Sequence, residues 1–163
     1  MTRAPGAKRP KATLLGVISD THGLIRSEAL AALRGCERIL HAGDVGSFEV
    51  LAALQRIAPV SAVRGNVDRG DLARALPATL VFEAGGVRIG VTHILHSGLL
   101  DAEADDLDVL VYGHSHRPEQ ALREGCLFLN PGSAGPRRFG LPATVGLLRV
   151  AKGHARARLV RLA

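Results

Sequence analysis

Side chains that can bind metal ions follow five short apolar runs of the sequence, at the point where each run ends. The run TLLGVIS is followed by Asp20 and His22, and the run DVLVY is followed by His114 and His116, with one serine between the two histidines. In open α/β sheets, ligands bind at the carboxyl ends of the strands, so these side chains are expected to meet at one edge. The sequence therefore predicts a metal site with seven candidate ligands: Asp20, His22, Asp44, Asn66, His93, His114 and His116.

Each candidate ligand also has a simpler explanation when it is taken alone. An aspartate after a strand usually caps a helix or forms a turn, and Asn66, which follows Gly65, could be a turn asparagine. A lone histidine is more often a surface or core residue than a ligand. The recurrence of such residues at successive strand ends favours the metal site. Glycines beside the candidates would permit unusual backbone angles and close approach; they are Gly23, Gly43, Gly65 and Gly113.

The chemistry of the candidate ligands indicates the kind of metal. Two carboxylates, one amide and four imidazoles, without a thiolate, suit Mn²⁺, Fe²⁺, Zn²⁺ or Co²⁺ better than Cu⁺ or an iron–sulfur cluster. Seven ligands are too many for one tetrahedral ion, and they fit two ions that share a bridging carboxylate. Two divalent ions roughly 3.5–4 Å apart can hold a phosphoryl group for in-line displacement. The ligand set therefore predicts a dinuclear centre for phosphoryl chemistry.

The apolar runs and their spacing predict an α/β fold. Strands and helices alternate in the first part of the chain, which favours a parallel sheet, whereas the second part is typical of further strands and hairpins. One sheet cannot easily accommodate so many strands, so two facing sheets with helices outside are expected. The predicted strands are 13–19, 38–40, 60–63, a hairpin over 79–93, 108–112, 126–130 and a closing hairpin of 144–150 with 155–162. The predicted helices, each begun by a capping serine, are 27–35 and 47–57.

Length and composition predict one domain over residues 13–163, preceded by a flexible basic arm over residues 1–12. No secretory signal and no apolar run of about 20 residues is present, and the two cysteines form no CxxC motif. A cytoplasmic protein without membrane contact is therefore expected. The net charge of +6 is compatible with phosphate-bearing partners, but only 3% of residues are aromatic, so dedicated nucleic-acid binding is the disfavoured alternative. The oligomeric state is left open, and a homodimer is compatible with the sequence.

The candidate ligands and their neighbours form motifs in a recognisable order. The segments VISDTHG, LHAGDV, VRGNVD, VYGHSH and NPGSAGPRR resemble those of the calcineurin-like metallophosphoesterase superfamily, and within it the small single-domain phosphodiesterases of bacteria and archaea. The resemblance runs from about Thr13 to Val150. It implies a four-layer α/β sandwich, in which two facing mixed β-sheets are flanked by helices. It also implies a dinuclear metal-dependent phosphoesterase that acts on small phosphoester substrates.

The resemblance assigns a role to each candidate ligand. Asp44 would bridge two ions, and a hydroxide between the ions would attack the phosphoryl group in line while Asn66 helps to stabilise its charge. The ions implied are two divalent cations, with Mn²⁺ first and Ni²⁺, Zn²⁺, Fe²⁺, Co²⁺ or Mg²⁺ as alternatives. Apart from the shared Asp44, each ion would be held by three ligands: Asp20, His22 and His116 for the first, and Asn66, His93 and His114 for the second.

The chain departs from the family pattern near the substrate. Many larger members have a histidine after the Gly-Asn pair that helps to protonate the leaving group, whereas this chain, like much of the small branch, lacks it and has Val67. Activated aryl or nucleotide-type phosphodiesters are therefore expected to be preferred over alkyl monoesters. In THILH, two residues separate His93 from His96, where the family usually has glycine directly after the first histidine; His96 is the candidate substitute acid. Of Arg137 and Arg138, Arg138 is assigned to phosphate oxygens, with solvated loop charge as the alternative.

Other functions are compatible with the same fold. The retromer subunit that shares it has lost several metal ligands and works as an interaction surface. All seven ligand positions are filled here by competent residues, which favours catalysis over a scaffold. A phosphomonoesterase is a closer alternative. A nuclease drawn to nucleic acid by the basic ends is a further one, although the related repair nucleases carry additional domains for which this chain has no room.

Overall fold

Two five-stranded β-sheets and three short helices make up the computed structural model, which describes residues 12–163. The basic arm predicted over residues 1–12 lies outside the described residues, except for Ala12. No helix within residues 12–163 is long and apolar enough to cross a membrane. In chain order the elements are β1 (Thr13–Ile18), α1 (Ser27–Ala32), β2 (Arg38–His41), α2 (Phe48–Gln55), β3 (Val60–Ala62), α3 (Gly70–Ala75), β4 (Thr79–Ala84), β5 (Val87–Thr92), β6 (Val109–Val111), β7 (Glu119–Arg123), β8 (Cys126–Asn130), β9 (Thr144–Ala151) and β10 (His154–Arg161).

The first sheet has the strand order β10-β9-β1-β2-β3. Its strands β1, β2 and β3 are parallel, with Ile18 opposite His41 and His41 opposite Ala62, so the three strands end at the same edge. β9 and β10 form an antiparallel hairpin on the other side of β1. Both the parallel unit and the closing hairpin that the sequence predicted are confirmed.

The second sheet has the strand order β4-β5-β6-β8-β7. Its three central strands β5, β6 and β8 are parallel, with Val91 opposite Val111 and Val111 opposite Leu129. The edge strands β4 and β7 are antiparallel to their neighbours. Both sheets are therefore mixed, which confirms the predicted sandwich, and the parallel strands of the second sheet also end together.

Buried strands fill the space between the two sheets. Leu15 of β1 packs in one apolar cluster with Ile89 of β5 and Val111 of β6. The other face of the first sheet packs against the helices in a second cluster that includes Leu33 and Leu54. Each fully buried side chain of this kind contributes about 1.5–3 kcal/mol. Parallel strands buried on both faces form nearly continuous apolar runs, and their packing holds the strand ends in place.

The outer face of the second sheet is covered differently from the prediction. A turn-rich segment over residues 93–108 packs on it through Leu95, Leu100 and Leu107, which form an apolar cluster with Leu110 of β6 and Cys126 of β8. Helices were expected on both sides of the sandwich. The Asp101 carboxylate accepts hydrogen bonds from the backbone N–H groups of Glu103 and Ala104. Such local side-chain bonds compete with helix formation, so this layer is built from turns.

The structure also contains two elements that the sequence did not predict. α3 is a single short helix, and β7 is a polar edge strand that joins β8 through a tight turn at Glu124 and Gly125, both with positive φ. Of the two predicted capping serines, Ser47 does occupy the N-cap of α2, although its side chain makes no capping hydrogen bond. The prediction for Ser27 is wrong, because Ser27 lies inside α1. Tertiary packing stabilises these short elements instead of local signals.

Candidate metal centre

The structure brings all seven candidate ligands together where the parallel strands of the two sheets end. Asp20 and Asp44 follow β1 and β2, and His93 follows β5. The turns of the two sheets are joined directly, because the backbone N–H of His114 donates a hydrogen bond to Asp20 Oδ2 at 3.1 Å. The ligand oxygen and nitrogen atoms lie within hydrogen-bonding or ion-pairing distance of one another and form two groups.

The first group consists of Asp20, His22 and His116. Asp20 Oδ1 lies 3.4 Å from His116 Nε2 and 3.9 Å from His22 Nε2. The two imidazole nitrogens are 3.2 Å apart. One ligand atom from each residue lies within 4.8 Å of the other two, which is compact enough to surround one ion.

The second group consists of Asp44, His93 and His114, together with Asn66. One ligand atom from each of the first three lies within 4.8 Å of the others. Asn66 Oδ1 lies 2.9 Å from His93 Nε2 and 3.2 Å from His114 Nδ1. His93 Nδ1–H donates a hydrogen bond to the carbonyl of Ala42 at 2.7 Å, which aims Nε2 at the site.

Asp44 lies between the two groups. Its Oδ2 is 3.2 Å from His93 Nε2 and 3.8 Å from His22 Nε2, whereas its Oδ1 accepts a hydrogen bond from the backbone N–H of Val67. Asp20 Oδ1 also lies 3.9 Å from His93 Nε2. One oxygen of Asp44 is therefore oriented by the backbone, and the other faces ligands of both groups.

The polar atoms of the site fit bound cations. Asp20 Oδ1 is buried and has no hydrogen-bond partner, although Oδ2 of the same carboxylate accepts hydrogen bonds from Ser19 Oγ and the His114 N–H. A buried carboxylate oxygen without a donor is costly, and a divalent cation would compensate it. His93 Nε2 and Asn66 Oδ1 face each other at 2.9 Å, and both carry lone pairs when His93 is neutral. A cation between them would satisfy both.

Burial and neighbouring charges shift the pKa values of Asp44, His93 and His22. Burial alone would raise the pKa of Asp44, but hydrogen bonds from His93 and the Val67 N–H outweigh it, so this pKa is lowered. Burial also opposes protonation of His93, but Asp44 and Asp20 outweigh it and raise the pKa of His93. The pKa of His22 is lowered, mainly by burial. Because metal ligands must be deprotonated, the raised pKa of His93 would make ion binding weaker as the pH falls.

Five of the seven ligands have backbone conformations that L-residues seldom adopt. The left-handed conformation costs roughly 1–2 kcal/mol per residue, and such strain concentrates at functional sites. Two glycines allow close packing around the carboxylates: a Cβ on Gly65 would overlap with Asp44, and a Cβ on Gly113 would overlap with Ser19 and Asp20. The five φ values are 55° at Asp20, 47° at His22, 54° at Asp44, 72° at His114 and 62° at His116.

Asp68 and Asn130 hold the loops that carry the ligands. The Asp68 carboxylate accepts hydrogen bonds from the backbone N–H groups of Val45, Gly46 and Gly65, and so ties the loops after β2 and β3 together. Asn130 Nδ2 donates to the carbonyl of Gly113 and to Ser115 Oγ in the GHSH turn. Ser133 Oγ donates similarly to the carbonyl of Asp20.

His41 supports the site as a neutral imidazole. Its Nδ1 accepts a hydrogen bond from the Gly43 N–H, and its Nε2–H points to Thr21 Oγ1, whose own proton goes to the carbonyl of Val45. Complete burial lowers the pKa of His41 from 6.5 to about 4. His41 therefore joins the loops after β1 and β2 in its uncharged form.

The burial of His41 predicts a loss of stability in acid. Between pH 6.5 and pH 4 the unfolded chain binds a proton that the folded chain excludes, so the free energy of unfolding falls on acidification, by about 3 kcal/mol at pH 4. Urea unfolding of the metal-free protein at pH 7 and pH 4 measures this decrease in the free energy of unfolding. In His41→Asn the decrease should be smaller by about 3 kcal/mol, whereas in His154→Asn, which removes an exposed imidazole, it should match wild type. An unchanged decrease in His41→Asn would contradict the neutral, buried state of His41.

The other two predicted site residues, His96 and Arg138, lie outside the two ligand groups. His96 is exposed and lines a groove of about 740 Å³ on the outer face of the second sheet, with Leu107 and Phe128. Within residues 12–163 no hydrogen bond or ion pair joins His96 to the ligands, so the structure does not bring it to the centre. Arg138 is exposed at the rim, and its charge helps to lower the pKa of His22.

Two residues that lie at the site were not predicted from the sequence. Ser19 Oγ donates a hydrogen bond of 2.7 Å to Asp20 Oδ2, and Phe139 places its ring 6.1 Å from that of His116. The Phe139 side chain is 79% exposed. Phe139 could have been identified from its position directly after two arginines, in a chain that has only four phenylalanines. Ser19 had no signal beyond its place in the motif.

The fold and the site together are those of the metallophosphoesterases. Residues 14–153 match the calcineurin-like phosphoesterase superfamily domain, and the chain belongs to this family. It is 35% identical over 165 residues to a probable metallophosphoesterase of Methanothermobacter thermautotrophicus, covering 91% of this chain and 92% of that protein.

Further similarities extend to a phosphodiesterase and to a sorting protein. The chain is 29% identical over 154 residues to phosphodiesterase YfcE of Escherichia coli, covering 80% of this chain and 84% of that protein. It shares the fold of Vps29 from Chaetomium thermophilum, with a TM-score of 0.75, 24% identity, and coverage of 92% of this chain and 97% of that one. The resemblance inferred from the motifs is thereby confirmed.

Proposed function

We propose that this protein is a metal-dependent phosphodiesterase that uses two divalent ions, with Mn²⁺ expected first. The single observation that carries the proposal is the pair of ligand groups joined by Asp44, whose Oδ2 faces His93 in one group and His22 in the other. The name of the Escherichia coli relative supports diester chemistry. When bound, two such ions would polarise the phosphoryl oxygens and lower the pKa of water enough for attack near neutral pH.

The residues of this chain would bind and orient the substrate. Asn66 lies between His93 and His114, where its amide can face a phosphoryl oxygen. Arg138, exposed at the rim near His22, offers a guanidinium fork to the oxygens that remain. The backbone N–H of Val67 and the carbonyl of Ala42 hold Asp44 and His93 in their orientations before substrate binds, so little reorganisation is needed.

The residue after Asn66 determines which leaving groups are favoured. Val67 has a half-exposed apolar side chain, which has no proton to donate to a departing oxygen. His96, the candidate substitute acid, lines a groove on the other face of the second sheet. Leaving groups that depart without protonation, such as aryl oxides, are therefore expected to react fastest.

Hydrolysis of two aryl esters tests the proposal. Metal is removed with a chelator, Mn²⁺, Ni²⁺, Zn²⁺ or Mg²⁺ is restored singly, and kcat/KM is measured for bis(p-nitrophenyl) phosphate and for p-nitrophenyl phosphate. Both esters release p-nitrophenolate, which needs no acid, so the comparison depends on the charge of the phosphoryl group. The diester should be hydrolysed at least about tenfold better, because its single negative charge repels an attacking hydroxide less than the two charges of the monoester. Activity should be absent in the chelated protein and return with metal.

Two results would contradict this proposal in different ways. If the monoester is the better substrate, the expected preference for diesters fails while the metal site stands. If no restored metal supports hydrolysis of either ester, the protein is not this kind of enzyme. Val67→His is the matched gain-of-function variant: it supplies a proton donor, so it should raise turnover of a diester with an alkyl leaving group relative to bis(p-nitrophenyl) phosphate.

A non-catalytic scaffold is the second candidate, because Vps29 shares the fold over nearly the whole chain. The fold similarity at 24% identity is the observation that favours it. Metal binding without hydrolysis of any ester would support this alternative. The retention of all seven ligand residues in one compact arrangement favours catalysis.

A further inference from the structure

A second groove opens beside the metal centre and is lined by arginines. Its volume is about 540 Å³, and its walls include Arg137, Arg138, Phe139 and Arg161. Arg137 and Arg138 lie in the loop before β9, whereas Arg161 is the last residue of β10. The hairpin register places Arg161 opposite Thr144 at the start of β9, so two separate segments converge on the same groove.

Phe139 connects this groove to the metal centre. Its ring lines the groove and also lies 6.1 Å from the ring of His116, in an edge-to-face arrangement. The side chain is 79% exposed and its φ is 58°, so the loop holds a large apolar group in water at the cost of a strained backbone. An exposed ring in that position is available to stack on an aromatic part of a bound substrate.

No acidic side chain within residues 12–163 neutralises the charge of the groove. None of its lining residues within the described chain is acidic, and in the same part of the chain Arg137, Arg138 and Arg161 form no ion pair. All three arginines are exposed. Guanidinium groups that converge without a carboxylate partner form a binding site for phosphate, which they can hold through paired hydrogen bonds.

We propose that this groove is a second anion subsite, and that the substrates are nucleotide-type phosphodiesters that carry a further phosphate group. The diester phosphate would lie at the metal centre, the nucleobase would stack on Phe139, and the further phosphate would be held by Arg137 and Arg161. This inference rests on the proposed phosphodiesterase function for its catalytic test. The subsite itself is also testable by binding alone.

The catalytic test compares two substrates that differ only in the further phosphate: thymidine 5′-(p-nitrophenyl phosphate), with and without a 3′-phosphate. The Mn²⁺-loaded protein should show a kcat/KM about tenfold higher for the 3′-phosphorylated substrate, mainly through a lower KM. Arg161→Gln and Arg137→Gln should each reduce this ratio about fivefold. Arg56→Gln, which removes the same charge from the C-cap of α2 and does not line the groove, should retain the ratio of wild type.

The contribution of Phe139 is tested with a matched substrate pair. Thymidine 5′-(p-nitrophenyl phosphate) should be preferred over methyl p-nitrophenyl phosphate, and Phe139→Leu should reduce this preference about fivefold, because leucine retains the apolar bulk without the ring. An unchanged preference would remove the nucleobase from the proposal.

A binding experiment separates the subsite from catalysis. Calorimetric titration should give a Kd about tenfold lower for thymidine 3′,5′-bisphosphate than for thymidine 5′-monophosphate, and Arg161→Gln should reduce this difference about fivefold. If no ester is hydrolysed but this difference is found, the proposed function fails and the subsite stands. If the esters are hydrolysed but neither ratio nor Kd responds to the further phosphate, the subsite is wrong and the phosphodiesterase stands.

Discussion

Asp44→Asn is expected to lower kcat for bis(p-nitrophenyl) phosphate by about three orders of magnitude or more in the presence of Mn²⁺. The substitution conserves the shape of the side chain and its acceptor for the Val67 N–H, but it removes the negative charge of Asp44, whose Oδ2 faces His93 in one ligand group and His22 in the other. An amide in that position cannot hold two cations close together, so the stabilisation of charge on the phosphoryl group, worth several kcal/mol, is lost.

Folding and charge controls accompany the Asp44 variant. Thermal unfolding in chelator should show that Asp44→Asn folds, because the substitution is expected to impair the binding of ions and not the folding of the chain. Asp106→Asn removes a carboxylate from an exposed turn outside the site and should keep the activity of wild type. Full activity in Asp44→Asn would show that this carboxylate does not join two ions, and the proposed mechanism would be abandoned.

Binding of each divalent ion is expected to stabilise the fold by about 4 kcal/mol when the free ion is about 1,000-fold above its Kd. For a chain of this length that corresponds to a rise in Tm of about 8–16 °C. The physical reason is the unsatisfied Asp20 Oδ1 and the strained backbone of the ligand loops, which bound cations would hold in place. Differential scanning fluorimetry in chelator and in Mn²⁺ measures the shift.

Metal analysis of His116→Ala tests the two-ion arrangement directly. The variant loses a ligand of the first group and leaves the second group complete, so the bound metal should fall from two ions per chain to one, with a correspondingly smaller rise in Tm. His154→Ala, which removes an exposed histidine of β10, should bind as much metal as wild type. A metal content that is one ion in wild type, or that is unchanged in His116→Ala, would contradict the dinuclear proposal.

Several parts of the fold and the site could be predicted because their signals are local. Strands buried on both faces require continuous apolar runs, so β1, β6 and β8 were visible in the sequence. β7 and α3 were not, because the polar edge strand EQALR follows no pattern of its own and α3 is only six residues long. Their conformations depend on pairing and packing with distant parts of the chain.

The placement of His96 shows the limit of motif reasoning most clearly. Its distance along the chain from His93 suggested a place at the centre, but the turns after His93 carry it to the outer face of the second sheet. A loop's direction is decided by what it packs on, here the apolar surface around Leu107 and Leu110. Spacing in the sequence does not contain that information.

The identity of the ligands and their location at strand ends follow from the sequence, because residue type sets the chemistry and apolar runs mark the strands. Tertiary structure decides which ligands are neighbours, since only the packing of two sheets brings Asp20 to His116 and Asn66 to His93. It also decides the left-handed backbone of the ligands and the meeting of Arg161 with the loop before β9. These features arise from contacts between residues far apart in the chain, so no local sequence pattern predicts them.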